Sequence, residues 1–251
     1  MSGLTVTVIT LNEAVNIQAC LESVHWADEI LVVDSGSTDG TPDLARAAGA
    51  RVIVRDWPGY SQQKNFAAEQ ASHDWILSVD ADERVTPELA AEIRALMSTS
   101  PAAAGYRIPR VTWHLGRWIR TTDWYPDYQL RLYNRRRASW PVRLVHESVR
   151  AEGPVETLNH ELQHYAYRDI AHHLQTMNRY TTLAAEQLDA DGRRAGFIDL
   201  IVHPKLAFLR NYLLRGGIRD GMAGLIISLL NSYYVFLKFA KLWARQHRLD
   251  R

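Results

Sequence analysis

The first hundred residues alternate between two hydrophobic periods, and no other feature of the sequence constrains the fold as strongly. Segments rich in β-branched residues have the pattern of strands, whereas segments with apolar residues three and four positions apart have the pattern of helix faces. The strand-like segments are LTVTVITL (4–11), EILVVD (29–34), RVIVRD (51–56) and WILSVD (75–80). Strands and helices repeated in this order predict an α/β fold with a mostly parallel sheet flanked by helices.

Helix start signals accompany these strands. Thr41 is expected to cap one helix, because Pro42 follows it and proline fits the first helical turn. Thr86 followed by Pro87 marks the start of another helix. From Asp169 onward the pattern is helical, which predicts a helical C-terminal extension.

Polar residues occupy the ends of the predicted strands. They are Thr10, Asn12, Glu13, Asp34, Asp80 and Asp82. Ligands of open parallel sheets bind beyond the carboxyl ends of the strands, so these side chains are expected at one edge. Asp80 and Asp82 can present oxygen atoms to one Mg²⁺ or Mn²⁺ ion, which takes further ligands from substrate phosphates. The structural alternative is that both aspartates only cap the following turn.

Charge is distributed unevenly along the chain. Residues 1–100 contain 6 lysines and arginines against 15 aspartates and glutamates, whereas residues 101–251 contain 23 against 13. The acidic part suits a metal, and the basic part suits phosphorylated or anionic partners such as lipid headgroups. Nucleic acid is not expected as a partner, because the basic region has no recognition motif and the acidic crevice would repel phosphates.

Three motifs occur in a specific order between residues 8 and 83. VITLNEAVNIQACLESV, ILVVDSGSTDGT and GYSQQKNFAAEQASHDWILSVDADE resemble successive signatures of the inverting glycosyltransferases of family 2, which have a GT-A fold. The segment GRWIRTTDWYPDYQLRLYNRRRASW, with VHESV after it, is similar to the branch with β-1,4-glucosyltransferases of the bacterial lipopolysaccharide or lipooligosaccharide core. The resemblance implies transfer of a sugar, with glucose as the family-level expectation, from a UDP-sugar to a lipid-linked oligosaccharide acceptor.

The same resemblance implies roles for the residues that would bind the nucleotide. Thr10, Asn12 and Glu13 would line the nucleotide pocket, and Asp34 would contact the base or ribose. Ser35 stands where many family members have a second aspartate, so the details of base recognition stay open.

The resemblance also implies how the sugar and the diphosphate are held. Lys64 and Asn65 would touch the sugar or the diphosphate, and Asp80 would lie near the ribose. Asp82 would be the more direct metal ligand beside Asp80, and His146 would complete the metal site. A Mg²⁺ or Mn²⁺ ion there would stabilise the charge that develops on the departing UDP.

Two carboxylates are candidates for the general base, Asp127 in WYPDYQ and Glu147 in VHE. Either would take the proton of the acceptor hydroxyl, and Glu147 is slightly preferred because it adjoins His146. A structural role is open for both. The acceptor site itself is expected among aromatic and basic residues, with a core role open for the tryptophans. These residues are Trp113, His114, Arg117, Trp118, Arg120, Trp124, Arg131 and Arg135.

The C-terminal helices have the composition of a membrane-contacting segment. Residues 221–237 are uncharged, and residues 201–251 carry nine lysines and arginines against two acidic residues. We expect peripheral attachment to an anionic membrane surface, with a buried helix as the alternative. A single cysteine and the lack of a signal-peptide pattern favour the cytoplasm, and hence the cytoplasmic face of the inner membrane.

We expect a catalytic domain at residues 1–168, with nucleotide-sugar binding in 1–100 and the acceptor side in 101–168, and a helical extension at 169–251. Two other functions stay open. A phosphatase of the haloacid-dehalogenase type also places D-x-D after an apolar strand, but Arg84 stands where those enzymes usually have Thr or Val. The other is a non-catalytic sugar-binding or assembly protein. The oligomeric state is left open.

Overall fold

The computed structural model describes residues 2–141, 148–247 and 249. These residues form two compact units. Unit 1 contains the described residues up to Arg110 and those of Asp127–His164, and unit 2 contains Val111–Pro126 and those from Tyr165 onward. The division into a catalytic domain at 1–168 and an extension at 169–251 stays a prediction.

Unit 1 begins with alternating strands and helices. In chain order they are β1 (Leu4–Thr10), α1 (Ile17–Ser23), β2 (Glu29–Asp34), α2 (Thr41–Ala47), β3 (Arg51–Val54), α3 (Tyr60–Gln70), β4 (Trp75–Asp80), β5 (Glu83–Val85) and α4 (Pro87–Ser98). β3, β2, β1 and β4 are neighbours in that order and run parallel. The predicted parallel α/β arrangement is therefore confirmed for this part of the chain.

Further strands extend the same sheet. They are β6 (Gly105–His114), β7 (Arg117–Ile119), β8 (Asp127–Asn134), β11 (Val155–Thr157) and β12 (Leu162–His164). β9 (Ala138–Ser139) and β10 (Arg150–Ala151) pair with each other in a separate two-stranded sheet. β8 pairs antiparallel with β4 and β6, and the strand order continues through β12 to β5. β6 continues into unit 2, where its last residues pair with β7. The aromatic, arginine-rich segment thus adds antiparallel strands beside the parallel ones and makes the sheet mixed.

Burial of the central strands accounts for their apolar sequences. β1 has a parallel neighbour on each side, and Val6, Val8, Leu77 and Val79 of β1 and β4 are buried. Strands covered on both faces have near-continuous apolar runs. One core cluster joins these residues with others from α1 and α4.

The two predicted helix starts have different outcomes. Thr86 caps α4, because its Oγ1 accepts a hydrogen bond from the N–H of Leu89 at 3.2 Å. The prediction for Thr41 is wrong by one residue, since Gly40 is the cap of α2 with a φ of 86°. Glycine adopts this left-handed conformation without a steric penalty. Thr41 instead uses its hydroxyl to accept from the N–H of Glu13.

Unit 2 is mainly helical, as predicted for the C-terminal part. Its helices are α5 (Ile170–Ala190), α6 (Phe197–Leu209), a π-helical turn (Arg210–Leu214) and α7 (Gly221–Gln246), with short 3₁₀ turns at Thr122–Trp124 and Gly217–Asp220. α7 packs against both α5 and α6. Within the described chain, one helical segment, Gly217–Gln246, is long and apolar enough to cross a membrane, judged by length and composition.

Candidate active site

The carboxyl ends of β1, β2 and β4 bring three of the predicted residues together. Thr10 is opposite Asp34 in the β1–β2 ladder, and Ile9 is opposite Asp80 in the β1–β4 ladder. Asp80 is remote from Thr10 in sequence, so the parallel topology produces this neighbourhood. The strand register therefore confirms that Thr10, Asp34 and Asp80 lie at one edge of the sheet.

Asp34 organises the loop between β2 and α2. It is fully buried, and its Oδ1 accepts hydrogen bonds from the hydroxyls of Thr10 at 2.9 Å and Ser37 at 2.5 Å. Its Oδ2 accepts from the N–H groups of Gly36 at 2.9 Å and Ser37 at 2.8 Å. Both oxygens therefore accept hydrogen bonds from this loop, and Oδ1 also accepts from Thr10 of β1. Contact with a base or ribose stays a prediction.

Asn12 and Glu13 join the loop after β1 to the loop after β2. The N–H of Asn12 donates to Ser37 Oγ at 2.8 Å, and its Oδ1 accepts from the N–H of Thr38 at 2.9 Å. The N–H of Glu13 donates to Thr41 Oγ1 at 2.9 Å. Asn12 has a φ of 56°, a conformation that asparagine adopts more readily than most residues. These hydrogen bonds hold the two loops together, and the paired loops form one wall of the crevice at the carboxyl edge of the sheet.

Asp80 is held between two cations. Its Oδ1 lies 2.8 Å from Lys64 Nζ, and its Oδ2 lies 2.5 Å from Arg131 Nη2. Burial raises the pKa of Asp80, but the charges of Arg131 and Lys64 outweigh burial and hold it well below its usual range. Asp80 is therefore an ionised group with both oxygens in ion pairs.

Lys64 and Asn65 are both anchored by Trp140. The Nζ of Lys64 lies over the Trp140 ring, 4.5 Å from its centroid. Burial lowers the pKa of Lys64, although the nearby charge of Asp80 opposes this shift. The side-chain amide of Asn65 donates to Trp140 O at 2.8 Å and accepts from Trp140 N–H at 2.9 Å. The described structure thus uses the amide of Asn65 to hold the backbone beside Lys64.

Glu83 is a site residue to which the sequence reasoning assigned no role. It is fully buried, and its Oε1 lies 2.7 Å from Arg131 Nη2 and 3.0 Å from Arg110 Nη1. Its Oε2 accepts from the N–H of Asp80 at 2.9 Å, which fixes the turn of the D-x-D motif. The available signal was a third carboxylate directly after that motif.

Arg110 extends these contacts to a candidate base. Its Nη2 lies 2.6 Å from Asp127 Oδ2, and Gln129 donates to Asp127 Oδ1 at 2.6 Å. Opposite charges therefore alternate along one connected network, which ends at Asp127. Its members are Lys64, Asp80, Arg131, Glu83, Arg110 and Asp127. The buried Nε of Arg131 has no hydrogen-bond partner within the described ranges.

Asp82 faces a histidine that the sequence analysis did not select. His164 Nε2 lies 3.3 Å from Asp82 Oδ2, because the antiparallel pairing of β12 with β5 places His164 opposite Glu83. Burial raises the pKa of Asp82, but His164 outweighs it and the net shift is downward. His146 and Glu147, predicted as metal ligand and base, lie outside the described residues.

The donor groups at this position suit a divalent ion that shares its ligands with a substrate. Among residues 2–141, 148–247 and 249, no three His, Cys, Asp or Glu side chains form a group that could hold a metal. Asp82 and His164 offer one carboxylate and one imidazole. Mg²⁺ and Mn²⁺ commonly bind one or two protein ligands and complete their coordination with phosphate oxygens and water. The residues present therefore fit such an ion.

The residues predicted for the acceptor site divide between the two units. Arg131 and Arg135 belong to unit 1, and neither is a free surface cation. Arg131 is buried in the ion network, and Arg135 donates to the carbonyls of Ala68 and Ala71 at the end of α3. The six other predicted residues belong to unit 2. They are Trp113, His114, Arg117, Trp118, Arg120 and Trp124.

Comparison with known proteins defines the class. The sequence profile of glycosyl transferase family 2 matches residues 5–157. The chain is 34% identical, over 96% of its length, to the lipopolysaccharide core biosynthesis glycosyltransferase LpsC of Rhizobium meliloti (strain 1021), and the match covers 92% of that protein. It is 32% identical to an uncharacterized glycosyltransferase of Rickettsia bellii (strain RML369-C), over 94% of this chain and 84% of the relative. The chain belongs to glycosyl transferase family 2.

A solved structure shares the fold over most of the chain. The mannosyltransferase PcManGT from Pyrobaculum calidifontis, in complex with GDP-Man and Mn²⁺, matches with a TM-score of 0.56 and 15% identity. The match covers 96% of this chain and 87% of that chain. The predicted GT-A fold is thereby confirmed, and the enzyme is a glycosyltransferase. The phosphatase and the non-catalytic protein are not favoured.

Proposed function

We propose that this glycosyltransferase moves a sugar, with glucose as the expected one, from a UDP-sugar to a lipid-linked oligosaccharide of the lipopolysaccharide or lipooligosaccharide core, with inversion. The likeness to LpsC over nearly the whole chain supports the acceptor class. The observation that carries the proposal is the contrast between two aspartates. Asp80 has both oxygens in ion pairs with Lys64 and Arg131, whereas Asp82 faces the imidazole of His164.

This contrast supports different roles for the two carboxylates. Asp82, with His164 and with His146 as a further candidate, would bind a Mg²⁺ or Mn²⁺ ion. Asp80 would lie near the ribose and keep Lys64 in place. The bound ion would neutralise the negative charge that develops on the leaving UDP. The Mn²⁺ in the complex of the mannosyltransferase with GDP-Man supports the use of a divalent ion.

The loops at the sheet edge are proposed to bind the nucleotide. Thr10, Asn12 and Glu13 would line its pocket, and Asp34 would contact the base or ribose, directly or by holding its loop in shape. Support comes from the hydrogen bonds that join the two loops into one wall. Preorganised loops reduce the entropy lost when a ligand binds.

Lys64 and Asn65 are proposed to act on the sugar-diphosphate side. Lys64 contributes a buried positive charge beside Asp80, which would attract a diphosphate oxygen. Asn65 would support this group through its two hydrogen bonds to the backbone of Trp140. The aromatic and basic residues of unit 2 remain candidates for the acceptor.

Either Asp127 or Glu147 is proposed to take the proton of the acceptor hydroxyl. Asp127 is ion-paired with Arg110 through Oδ2 and accepts a hydrogen bond from Gln129 at Oδ1, so as the base it would meet the acceptor hydroxyl with both oxygens already in contact with side chains. Glu147 lies outside the described residues, so its place in the site is a proposal from the sequence alone.

Donor binding tests the proposed function directly. UDP-glucose, UDP-galactose, UDP-N-acetylglucosamine and a nucleotide-heptose are compared for thermal stabilisation with Mn²⁺, with Mg²⁺ and with a chelator. A ligand at about 100 times its dissociation constant adds about 2.7 kcal/mol of stability. A UDP-sugar that stabilises only with the metal supports the proposal. Hydrolysis of simple phosphate esters without any sugar nucleotide would support the phosphatase instead.

We also propose that the protein attaches peripherally to the cytoplasmic face of the inner membrane, where a lipid-linked acceptor would be reached. The apolar segment Gly217–Gln246 and the basic C-terminal composition support this placement. An anionic membrane surface is thus the second proposed partner, besides the donor and acceptor substrates.

A further inference from the structure

The exposed side of α6 is apolar, whereas a surface helix of a water-soluble domain normally exposes polar residues. Its exposed residues are Phe197, Ile198, Ile201, Val202, Lys205, Leu206 and Leu209. At about 100° per residue they occupy one half of the helix circumference. The buried Asp199, Pro204 and Ala207 occupy the other half. We call the six apolar members of the exposed set the α6 face.

The side chains of the α6 face are extensively exposed. Phe197 is 76% exposed, Ile198 61% and Leu206 55%. Leu214, at the end of the π-helical turn that follows α6, is 83% exposed. Single exposed apolar residues are ordinary, but a run of this length marks an interaction surface.

Basic residues predominate around the α6 face, and two of them, Arg210 and Arg215, pair with Asp123. Within the described segment 192–222, every exposed charged residue is basic. These residues are Arg193, Arg194, Lys205, Arg210, Arg215 and Arg219. The two acidic residues of the segment are buried and ion-paired, Asp199 with Arg193 at 2.8 Å and Asp220 with Arg117 at 2.9 Å. An apolar surface with a positive margin is complementary to anionic lipid headgroups above acyl chains.

We propose that α6 lies in the plane of an anionic lipid bilayer, with the α6 face at the boundary between headgroups and acyl chains. Lys205, at the centre of the exposed half, would extend its ammonium group to the headgroups. This inference rests on the membrane attachment proposed above and names its contact surface. It assigns the principal contact to α6 and not to the uncharged segment 221–237.

The packing of α7 favours this assignment. α7 contacts both α5 and α6, and its exposed apolar residues form a narrower stripe that includes Leu229, Tyr233 and Phe236. No charged residue lies between 221 and 237. Of the basic residues that follow in α7, Lys238 is partly buried, Lys241 donates to the carbonyl of Asn178 and Arg245 pairs with Glu186. The exposed basic residues around α6 add electrostatic attraction to apolar burial.

Site-specific labelling tests the contact. Cys20 is the single cysteine and is buried, so Phe197→Cys can be labelled selectively with an environment-sensitive fluorophore in the full chain. Vesicles of phosphatidylcholine with phosphatidylglycerol should shift the emission at position 197 to the blue. Label at Val15→Cys, which is 84% exposed in unit 1, should not respond. A response at Leu229→Cys without one at position 197 overturns the proposal.

Vesicle flotation gives a second measurement. The triple variant Ile198→Ser, Ile201→Ser and Leu209→Ser should lower the partition coefficient by at least about tenfold, because each side chain loses its apolar transfer energy. The matched control is Val15→Ser with Val54→Ser, both exposed in unit 1, which should bind as the wild type does. Equal binding of the triple variant overturns the proposal. Lys205→Gln with Arg219→Gln should remove the preference for anionic over neutral vesicles.

Two further outcomes are distinguished by the same proteins. A concentration-dependent emission shift at position 197 without vesicles would show that a second copy of the chain covers the α6 face, and would overturn the proposal.

Transfer to a delipidated, soluble acceptor separates this inference from the proposed function. The triple variant should transfer sugar to this soluble acceptor as the wild type does. If the proposed function is wrong, the wild type should not transfer sugar to it, although it would still bind vesicles.

Discussion

The carboxylate of Asp82 lies 3.3 Å from the imidazole of His164, although Asp82 is in the turn between β4 and β5 and His164 is at the end of β12. The pairing of β12 with β5 creates this contact. It places an imidazole beside the D-x-D motif. The proposed metal site therefore includes His164 as well as Asp82.

Replacing His164 should weaken the cation site. We predict that His164→Ala lowers the Mn²⁺-dependent affinity for UDP by about 10- to 100-fold. The substitution removes either a metal ligand or the side chain that orients Asp82. Isothermal titration with UDP, with and without Mn²⁺, measures the effect. His25→Gln, at an exposed position on the surface, is the control and should bind as the wild type does. Unchanged Mn²⁺ dependence in the His164 variant would exclude a role at the metal.

Glu83 should be important for stability. Glu83→Gln removes the negative charge that lies between Arg110 and Arg131 in a buried site, and we expect a loss of about 3–5 kcal/mol in the free energy of unfolding. Denaturant unfolding measures the loss. Glu88→Gln, at an exposed position in α4, should change stability by less than about 1 kcal/mol. Equal stabilities of the two variants would show that the ion network contributes little.

The choice of general base can be made by substitution. Asp127→Asn and Glu147→Gln are compared separately, and the true base should lose turnover by about 10² or more while donor binding is retained. Pre-steady-state transfer and UDP-sugar titration give the two readouts. A loss of turnover together with lost donor binding would instead assign the residue to the structure of the site.

Acid should destabilise unit 2 through His173. Burial, with the charges of His114 and His172 adding to it, lowers the pKa of His173 from 6.5 to about 4. Below the ordinary pKa the unfolded chain binds a proton that the folded protein does not, so stability is lost as the pH falls from 6.5 towards 4. We expect a loss of about 2 kcal/mol between pH 7 and pH 5 from this group.

Urea unfolding at several pH values checks this prediction. The groups around His173 are His114, whose Nε2 lies 3.3 Å from His173 Nδ1, Tyr167, which stacks on the ring, and Trp124. His173→Gln should reduce the pH dependence, while His25→Gln should retain it. The same slope in both variants would assign the acid sensitivity to other groups.

The sequence predicted the part of the site that depends on parallel strands. Asp34 and Asp80 end strands whose hydrophobic patterns are strong, and parallel pairing brings such ends to one edge. His164 could not be selected in this way. β12 is three residues long, and its position follows from antiparallel pairings across the mixed sheet, which a local pattern does not encode.

The same limit applies to Arg131. It stands in a basic, aromatic segment, from which the sequence predicts a place in the acceptor site. In the fold β8 pairs with β4, so Arg131 is buried beside Asp80 and Glu83. A buried arginine needs acidic partners, and the sequence shows those partners but not which cation meets them.

The most direct test of the central claim is UDP binding by Asp82→Ala, measured calorimetrically with Mn²⁺ and with a chelator. UDP is used because it is common to the UDP-sugars proposed as donors. We predict that Mn²⁺ strengthens UDP binding to the wild type and has no effect on the variant, which should bind UDP as the metal-free wild type does. If the variant keeps both the affinity and the Mn²⁺ dependence of the wild type, Asp82 does not hold the cation and the proposed mechanism is contradicted.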